Sequence, residues 1–156
     1  MGEPVTVRLA LPGDGPALAA LRAAWTQEWH GATSDDGYEE RFAAWWASER
    51  GRRLAWLAWV GAVPVGMVNL AVFERMPAPG RVPSRWGYLG NAYVRPDWRS
   101  RGVGTALLTE LLAYARSERF ARVVLRPSER SIPFYRRAGF GPATSLLLTD
   151  LDPDGA

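Results

Sequence analysis

The chain has 156 residues, a formal net charge of +3 and no cysteine. This length predicts one domain over residues 1–150 with a polar tail over 151–156, and the lack of thiols excludes disulfides, a cysteine nucleophile and cysteine metal ligands. A single histidine disfavours a metal centre, so we expect no metal. No apolar run reaches the ~18 residues of a membrane span and no secretory signal is visible, so we expect a cytoplasmic protein.

The basic residues indicate a small anionic partner. All 19 are arginine, and they are scattered along the chain. The sequence has no zinc finger, helix-turn-helix pattern or aromatic–basic RNA motif. Several arginines flank a candidate anion-binding loop, which favours a small anion over nucleic acid or a membrane.

The first half of the chain predicts a strand, two helices and a hairpin. Alternation over Val5–Leu9 predicts the strand, and Asp14 is placed to cap the helix that follows. Apolar residues at helical spacing predict a second helix over Tyr38–Arg50. Leu54–Val60 and Val65–Phe73 predict the hairpin.

The second half predicts alternating strands and helices after a proline-rich loop. Trp86–Val94 is rich in aromatic and β-branched residues, which favours a strand, and Val103 begins a helix that reaches about Arg119. Arg122–Leu125 predicts the next strand. A short helix over Ser131–Arg137 and a last strand over Ser145–Thr149 complete the order.

The most informative segment is Arg99-Ser100-Arg101-Gly102-Val103-Gly104-Thr105, termed the anion loop. Backbone N–H groups at a helix N-terminus lack intrahelical partners and carry the positive end of the helix dipole. Glycines let an anion approach them closely, so the segment predicts a phosphate or pyrophosphate site. It is not a lysine-based P-loop, because the chain has no lysine, and it lacks the third glycine of a dinucleotide fingerprint.

Two motifs together resemble a known family. Arg99, Gly102 and Gly104 form Arg-x-x-Gly-x-Gly, which resembles the acetyl-CoA-binding motif of the GNAT superfamily of N-acetyltransferases. A second block, Ser128–Phe140, is similar to the family pattern Asn-x-x-Ala-x-x-Phe-Tyr-x-x-x-Gly-Phe and lies at a family-like distance. Ser128 departs from the pattern, because many members have an asparagine there that contacts the pantetheine arm of the cofactor.

The resemblance implies the acyl-CoA N-acyltransferase (GNAT) fold, a mixed α/β sheet with helices on both faces, in the order β-α-α-β-β-β-α-β-α-β. In that family the strand before the anion loop splays from the next parallel strand, and the pantetheine arm enters the gap. Here the splayed pair would be Trp86–Val94 and Arg122–Leu125. Gly90 and Asn91 lie within the first of these strands, and we expect a bulge that frees the backbone of Asn91–Val94 for the pantetheine amides.

The implied donor is acetyl-CoA, bound without a metal. Its expected contacts lie at the end of the strand, in the anion loop and in the second block. They are Ala92, Tyr93, Val94, Arg99, Ser100, Arg101, Gly102, Val103, Gly104, Thr105 and Ser128. Cations at a helix N-terminus oppose the dipole by a few tenths to ~1 kcal/mol, so the two arginines favour a bound pyrophosphate.

Tyr135 matches the tyrosine of the family pattern, which implies that it is the acid for the departing CoA thiolate. A tyrosine of pKa ~10 that protonates a thiolate of pKa ~8.5 does so uphill by about 2 kcal/mol, so we expect mainly a hydrogen bond to the sulfur. The alternative interpretation is a core aromatic beside Phe134. The base that deprotonates the amine stays open among Glu74, His30 and a water relay at Asn91.

The acceptor is the least determined feature. Trp29, His30, Trp86 and Asn91 are the candidate acceptor contacts, and the loop Met76–Arg85 would form a lid or a homodimer contact. The resulting hypothesis is an N-acetyltransferase that transfers an acetyl group from acetyl-CoA directly to a primary amine of a small molecule or peptide. The alternative is a non-catalytic acyl-CoA-binding module.

Overall fold

The computed structural model describes residues 2–152. The chain divides into two compact units, Met1–Arg126 and Pro127–Ala156. Most of the predicted polar tail lies outside the described residues, and the single domain over 1–150 stays a prediction. No helix among the described residues is long and apolar enough to cross a membrane.

The first unit carries a five-stranded sheet flanked by helices. The strands are β1 (Val5–Leu9), β2 (Arg53–Val60), β3 (Val63–Glu74), β4 (Arg85–Val94) and β5 (Val123–Val124), in that spatial order. The helices are α1 (Gly15–His30), α2 (Tyr38–Glu49) and α3 (Val103–Ser117). Strands β1 to β4 pair antiparallel and β4 pairs with β5 in parallel, so the predicted mixed sheet is confirmed.

Alternate residues of β2 face opposite helical layers. Leu57 packs in a buried cluster with Leu21 of α1 and Trp46 of α2. On the other face, the ring of Trp56 meets Tyr114 of α3 edge-on at 5.5 Å. Full burial of a leucine side chain contributes ~1.5–3 kcal/mol, so both faces of the sheet contribute to the core. The predicted helices on both faces are confirmed.

The start of α1 differs in detail from the prediction. Asp14 occupies the N-cap position but makes no side-chain bond to the helix. Its carboxylate instead accepts the Leu11 N–H at 2.6 Å and pairs with the guanidinium of Arg8. Arg8 holds the pKa of Asp14 below its ordinary value. Asp14 therefore fixes the turn that leads into α1 rather than the helix end itself.

Gly66 of β3 allows α3 to lie close to the sheet. A Cβ at this position would be 3.1 Å from Leu107 Cδ1 and 3.2 Å from Val103 Cγ1. Val103 is the first residue of α3, so the missing side chain sets how closely the N-terminus of this helix approaches the strands.

The second unit contains α4 (Ile132–Arg137), which confirms the predicted short helix. The predicted last strand over Ser145–Thr149 is wrong. The Leu146 N–H donates to Ala143 O at 3.4 Å in a turn, and residues 146–148 are exposed. A strand requires a neighbour that completes its ladder, and an apolar run does not by itself provide one.

Candidate active site

A run of unpaired backbone N–H groups lies at the start of α3. Ser100 (φ +58°) and Gly102 (φ +82°) adopt left-handed backbone conformations. The Ala106 N–H donates to Gly102 O at 2.9 Å, while no carbonyl of the described residues accepts from the N–H groups of residues 100–105. Free donors at the positive end of a helix dipole suit a phosphate.

The two arginines of the anion loop differ in their partners. Arg99 donates two 2.8 Å hydrogen bonds to the Glu28 carboxylate of α1, and its Nε donates to Val94 O. Arg101 is exposed, with its guanidinium 5.2 Å over the ring of Trp98. Within the described residues Arg101 forms no ion pair. Arg101 is therefore the arginine whose charge is available to a phosphate.

Glu28 also connects α1 to the end of β4. It accepts a hydrogen bond from the Tyr93 hydroxyl at 3.0 Å, and its bonds from Arg99 hold its pKa below the ordinary value. Burial, followed by the nearby Glu28 carboxylate, raises the pKa of Tyr93. The Tyr93 ring stacks on Trp25 with 5.8 Å between ring centroids. The side chain of Tyr93 thus packs on α1, which leaves its backbone as the part that a cofactor would contact.

Strand β4 separates from β5 soon after the two strands meet. It pairs with β5 at Gly87 and Tyr88, and the ladder ends there. On its other side the register with β3 shifts just after the Asn69–Gly90 pair, and Asn91, the next residue of β4, has φ +51°. The predicted bulge is confirmed, whereas the splay stays a prediction, because β5 itself ends at Val124. Residues 89–94 have no partner on the β5 side within the described part of the chain.

A cavity of about 220 Å³ lies between α1, α2 and the middle of the sheet. Its wall combines four apolar side chains with three polar ones, and no acidic side chain is among them. The lining residues are Leu18, Arg22, Phe42, Trp45, Met67, Asn69 and Asn91. Because Asn91 is the bulge residue, the cavity reaches the strand that borders the predicted splay.

Of the four candidate acceptor contacts, Asn91 lines this cavity and the other three do not. Trp29 is 68% exposed, and His30 is exposed at the end of α1. Trp86 stacks on a phenylalanine of β3, at the start of β4 and far along the strand from the anion loop. Glu74, weighed as a base, is exposed at the end of β3.

The sequence interpretation missed Arg22 and Asn69 as cavity residues. Arg22 stands at helical spacing between Leu18 and Trp25, so a charged residue lies on the buried face of α1. Asn69 is the polar residue in the apolar run Val65–Phe73. A polar residue inside an apolar pattern is a local inconsistency, and such inconsistencies are typical of functional sites.

The second unit contains Ser128 and Tyr135. The Ser128 hydroxyl is exposed and donates to Ser131 Oγ at 3.0 Å. Tyr135 is 9% exposed, and its ring packs edge-on against Phe134 and Phe140. Burial raises the pKa of Tyr135. The hydroxyl therefore retains its proton and suits the role of a hydrogen-bond donor.

The family follows from a match over most of the chain. A family model described as the acetyltransferase (GNAT) family matches residues 18–140. The chain belongs to the GNAT family. The resemblance drawn from the two sequence motifs is thereby confirmed. No cluster of three or more histidine, aspartate or glutamate side chains that could hold a metal ion is present among residues 2–152.

This GNAT protein is similar to one named relative in sequence and to two solved structures in fold. It is 34% identical over 87 residues to glucosamine 6-phosphate N-acetyltransferase of Trypanosoma brucei brucei, a match that spans 56% of this chain and only 57% of the relative. A predicted acetyltransferase with acetyl-CoA from Clostridium acetobutylicum gives a TM-score of 0.74 at 20% identity, over 95% of this chain and 97% of that one. A GCN5-related N-acetyltransferase from Ralstonia eutropha JMP134 gives 0.69 at 26% identity, over 94% and 99%.

Proposed function

We propose that this protein is an N-acetyltransferase that transfers the acetyl group of acetyl-CoA directly to a primary amine. The observation that carries the proposal is the combination of two features: an unpaired edge over residues 89–94 of β4 and, a few residues later, a loop of free N–H groups over residues 100–105. The edge suits the amides of a pantetheine arm, and the loop suits a pyrophosphate. Coenzyme A contains both groups in one molecule.

The donor would bind mainly through backbone groups. The N–H groups of residues 100–105 donate to the pyrophosphate, and Arg101 adds a positive charge. The backbone of Ala92–Val94 pairs with the pantetheine arm. Arg99 contributes indirectly, because its bonds to Glu28 hold the anion loop against α1.

The reaction forms a C–N bond and breaks a C–S bond. The neutral amine attacks the thioester carbonyl carbon, the electron pair of the C–S bond leaves with the sulfur, and the proton lost by the amine goes to solvent. The thiolate then takes a proton from solvent. Tyr135 donates a hydrogen bond to the sulfur and keeps its proton, because its raised pKa makes full transfer still less favourable.

The cavity would receive the amine and favour its neutral form. An amine of pKa ~10.4 is neutral at pH 7 only at a free-energy cost of about 4.6 kcal/mol. No carboxylate lines the cavity, so we assign this step to desolvation by Leu18, Phe42, Trp45 and Met67, which lowers the pKa of the bound ammonium. Asn91 holds the water that accepts the proton.

A small acceptor fits the dimensions of the cavity. Its volume of about 220 Å³ lies below the roughly 300–1,000 Å³ of sites for drug-sized ligands. The relative from Trypanosoma brucei brucei is named for a small amino sugar phosphate. Both observations favour a small molecule, or the end of a peptide, as the acceptor.

An acetyl-CoA assay with a panel of amines tests the proposal. We expect thiol release that depends on the amine, with the acetylated amine identified by mass spectrometry. Reactions without amine measure background hydrolysis of the thioester. Tight binding of acetyl-CoA with no turnover across the panel would instead support a non-catalytic acyl-CoA-binding module.

A further inference from the structure

The polar groups of the cavity restrict which amines it accepts, if it receives the acceptor as proposed above. Arg22 supplies a guanidinium, Asn69 and Asn91 supply two amides, and no acidic side chain is among the lining residues. An acceptor with several ammonium groups would find no counter-charge there. An anionic group would find one cation and two amide N–H donors.

Neutral groups hold Arg22 in a fixed orientation. Its Nη1 donates to Thr26 Oγ1 at 3.1 Å, and its guanidinium lies 4.6 Å over the ring of Trp25. Trp25 in turn stacks on Tyr93 of β4. Thr26 uses one of the five N–H donors of the guanidinium, so a planar fork remains for an oxyanion.

Arg22 lacks the acidic partner that six other arginines have within the described residues. Ion pairs with aspartate or glutamate are formed by Arg8, Arg41, Arg52, Arg53, Arg85 and Arg99. Arg22 forms none with any carboxylate of residues 2–152, although it is partly buried in the cavity wall. A partly buried charge without a counter-charge is unfavourable, and an anion on a ligand would supply that counter-charge.

Asn69 provides a second, independent observation. It is 4% exposed and lies in the cavity wall. Its amide takes part in none of the side-chain hydrogen bonds found within the described residues. Its polar atoms are also not among the fully buried atoms that lack a partner, so the amide is accessible from the cavity and available to a ligand there.

We infer that the acceptor is a small primary amine that also carries one anionic group, a carboxylate or a phosphate, which Arg22 binds. The apolar lining side chains contact the uncharged part of the acceptor. The amine lies toward Asn91, beside the unpaired edge of β4. The cavity volume suits an acceptor, or an acceptor end, of about the size of an amino acid.

Kinetics with two matched pairs of amines tests this inference. Phenylalanine is compared with phenethylamine, which lacks the carboxylate, and O-phosphoethanolamine with ethanolamine, which lacks the phosphate. We expect at least one anionic amine to exceed its counterpart in kcat/KM by about ten- to a hundredfold, the range of a charge-assisted hydrogen bond. A preference in one pair alone identifies the anion and supports the inference.

Variants assign the preference to one side chain. Arg22→Gln should abolish the preference for the anionic amine. Arg22→Lys should retain part of that preference, and it keeps the test valid if the glutamine variant fails to fold. Arg41→Gln, on the exposed surface of α2, is the matched control and should leave it unchanged. Equal kcat/KM within both pairs, or a preference that survives in Arg22→Gln, would overturn the inference.

Calorimetric titration separates this inference from the proposed function. The four amines are titrated into the protein with coenzyme A present, which requires no turnover. Anion-selective binding without acetylation would overturn acetyl transfer and support the anion site. Acetylation without anion selectivity would support acetyl transfer and overturn the anion site.

Discussion

The donor region and the acceptor cavity are built from different parts of the chain. In the donor region the available groups are backbone N–H groups of residues 100–105 and the edge of β4. In the cavity they are the side chains of Arg22, Asn69 and Asn91. A backbone site survives most substitutions that preserve its conformation, whereas a side-chain site changes with single residues. Under the proposed assignments, the fold determines which donor binds, and a few side chains determine which acceptor binds.

We expect the largest effect from a variant that tests whether acetyl transfer also needs a side chain beside the donor. Tyr135→Phe removes the hydroxyl that we assign to the departing sulfur. We expect kcat to fall about a hundredfold, as for the loss of one hydrogen-bond donor to a developing negative charge, with the acetyl-CoA KM changed less than twofold. Stopped assays of thiol release give both constants. Tyr114→Phe on α3 is the control, and an unchanged kcat for Tyr135→Phe would remove this residue from the mechanism.

The next largest effect is expected from a variant that tests whether the backbone conformation of the anion loop determines acetyl-CoA binding. Gly102→Ala places a Cβ on a residue with φ +82°, where an L-residue is strained by roughly 1–2 kcal/mol. No atom lies within 4 Å of that Cβ, so the strain is purely conformational. We expect acetyl-CoA to bind about tenfold more weakly by calorimetry, with the acceptor KM unaffected. Gly51→Ala, which lacks a positive φ, should bind acetyl-CoA normally, and equal affinity in both variants would contradict a backbone-built site.

A smaller effect is expected from a variant that removes one polar side chain from the cavity wall. Asn69→Leu removes a buried amide at nearly constant volume. We expect the acceptor KM to rise about fivefold, as for the loss of one neutral hydrogen bond, while acetyl-CoA affinity stays the same. The melting temperature should stay equal or rise, because the variant buries an apolar group in place of an amide that lacks a protein partner. A lower melting temperature with unchanged kinetics would make Asn69 a structural residue.

The smallest effect concerns the link between the two regions. Glu28→Gln breaks the ion pair with Arg99, whose side chains are 45% (Arg99) and 31% (Glu28) exposed, so we expect a loss of at most ~1 kcal/mol in the free energy of unfolding. The folded pKa of Glu28 lies below its unfolded value of ~4.3. The stabilisation is thus complete above that pH and is lost as the pH falls through the folded pKa.

Urea denaturation at about pH 7 and about pH 3 checks whether the stabilisation by the Glu28–Arg99 ion pair decreases toward acid pH. The difference between wild type and Glu28→Gln should be present at the higher pH and shrink at the lower one. Glu110→Gln, an exposed substitution on α3, serves as the control. A difference that grows toward acid pH would be inconsistent with a carboxylate stabilised by Arg99.

The sequence predicted the conformation of the anion loop and the strand bulge far better than the cavity, and the reason is physical. Glycines, a helix start and a preceding strand are local signals, so the anion loop and the Asn91 bulge were visible in short segments. The cavity joins Arg22 of α1 to Asn69 of β3, and their proximity depends on how the helix packs on the sheet. The prediction of the last strand was wrong for a related reason, since the apolar run at 146–148 does not indicate which strand would pair with it. The partner of Arg99 was likewise invisible, because Glu28 lies far away in sequence.

The bulge at Asn91 also bears on how β4 could pair with a strand of another chain. Residues 89–94 of β4 leave one side of the strand without a ladder partner, and such edges are templates for the addition of a strand from another chain. A left-handed residue within that edge interrupts its regular spacing of donors and acceptors, which disfavours pairing with a straight strand. The same residue that lines the cavity thus makes this stretch of β4 a poor template for an added strand.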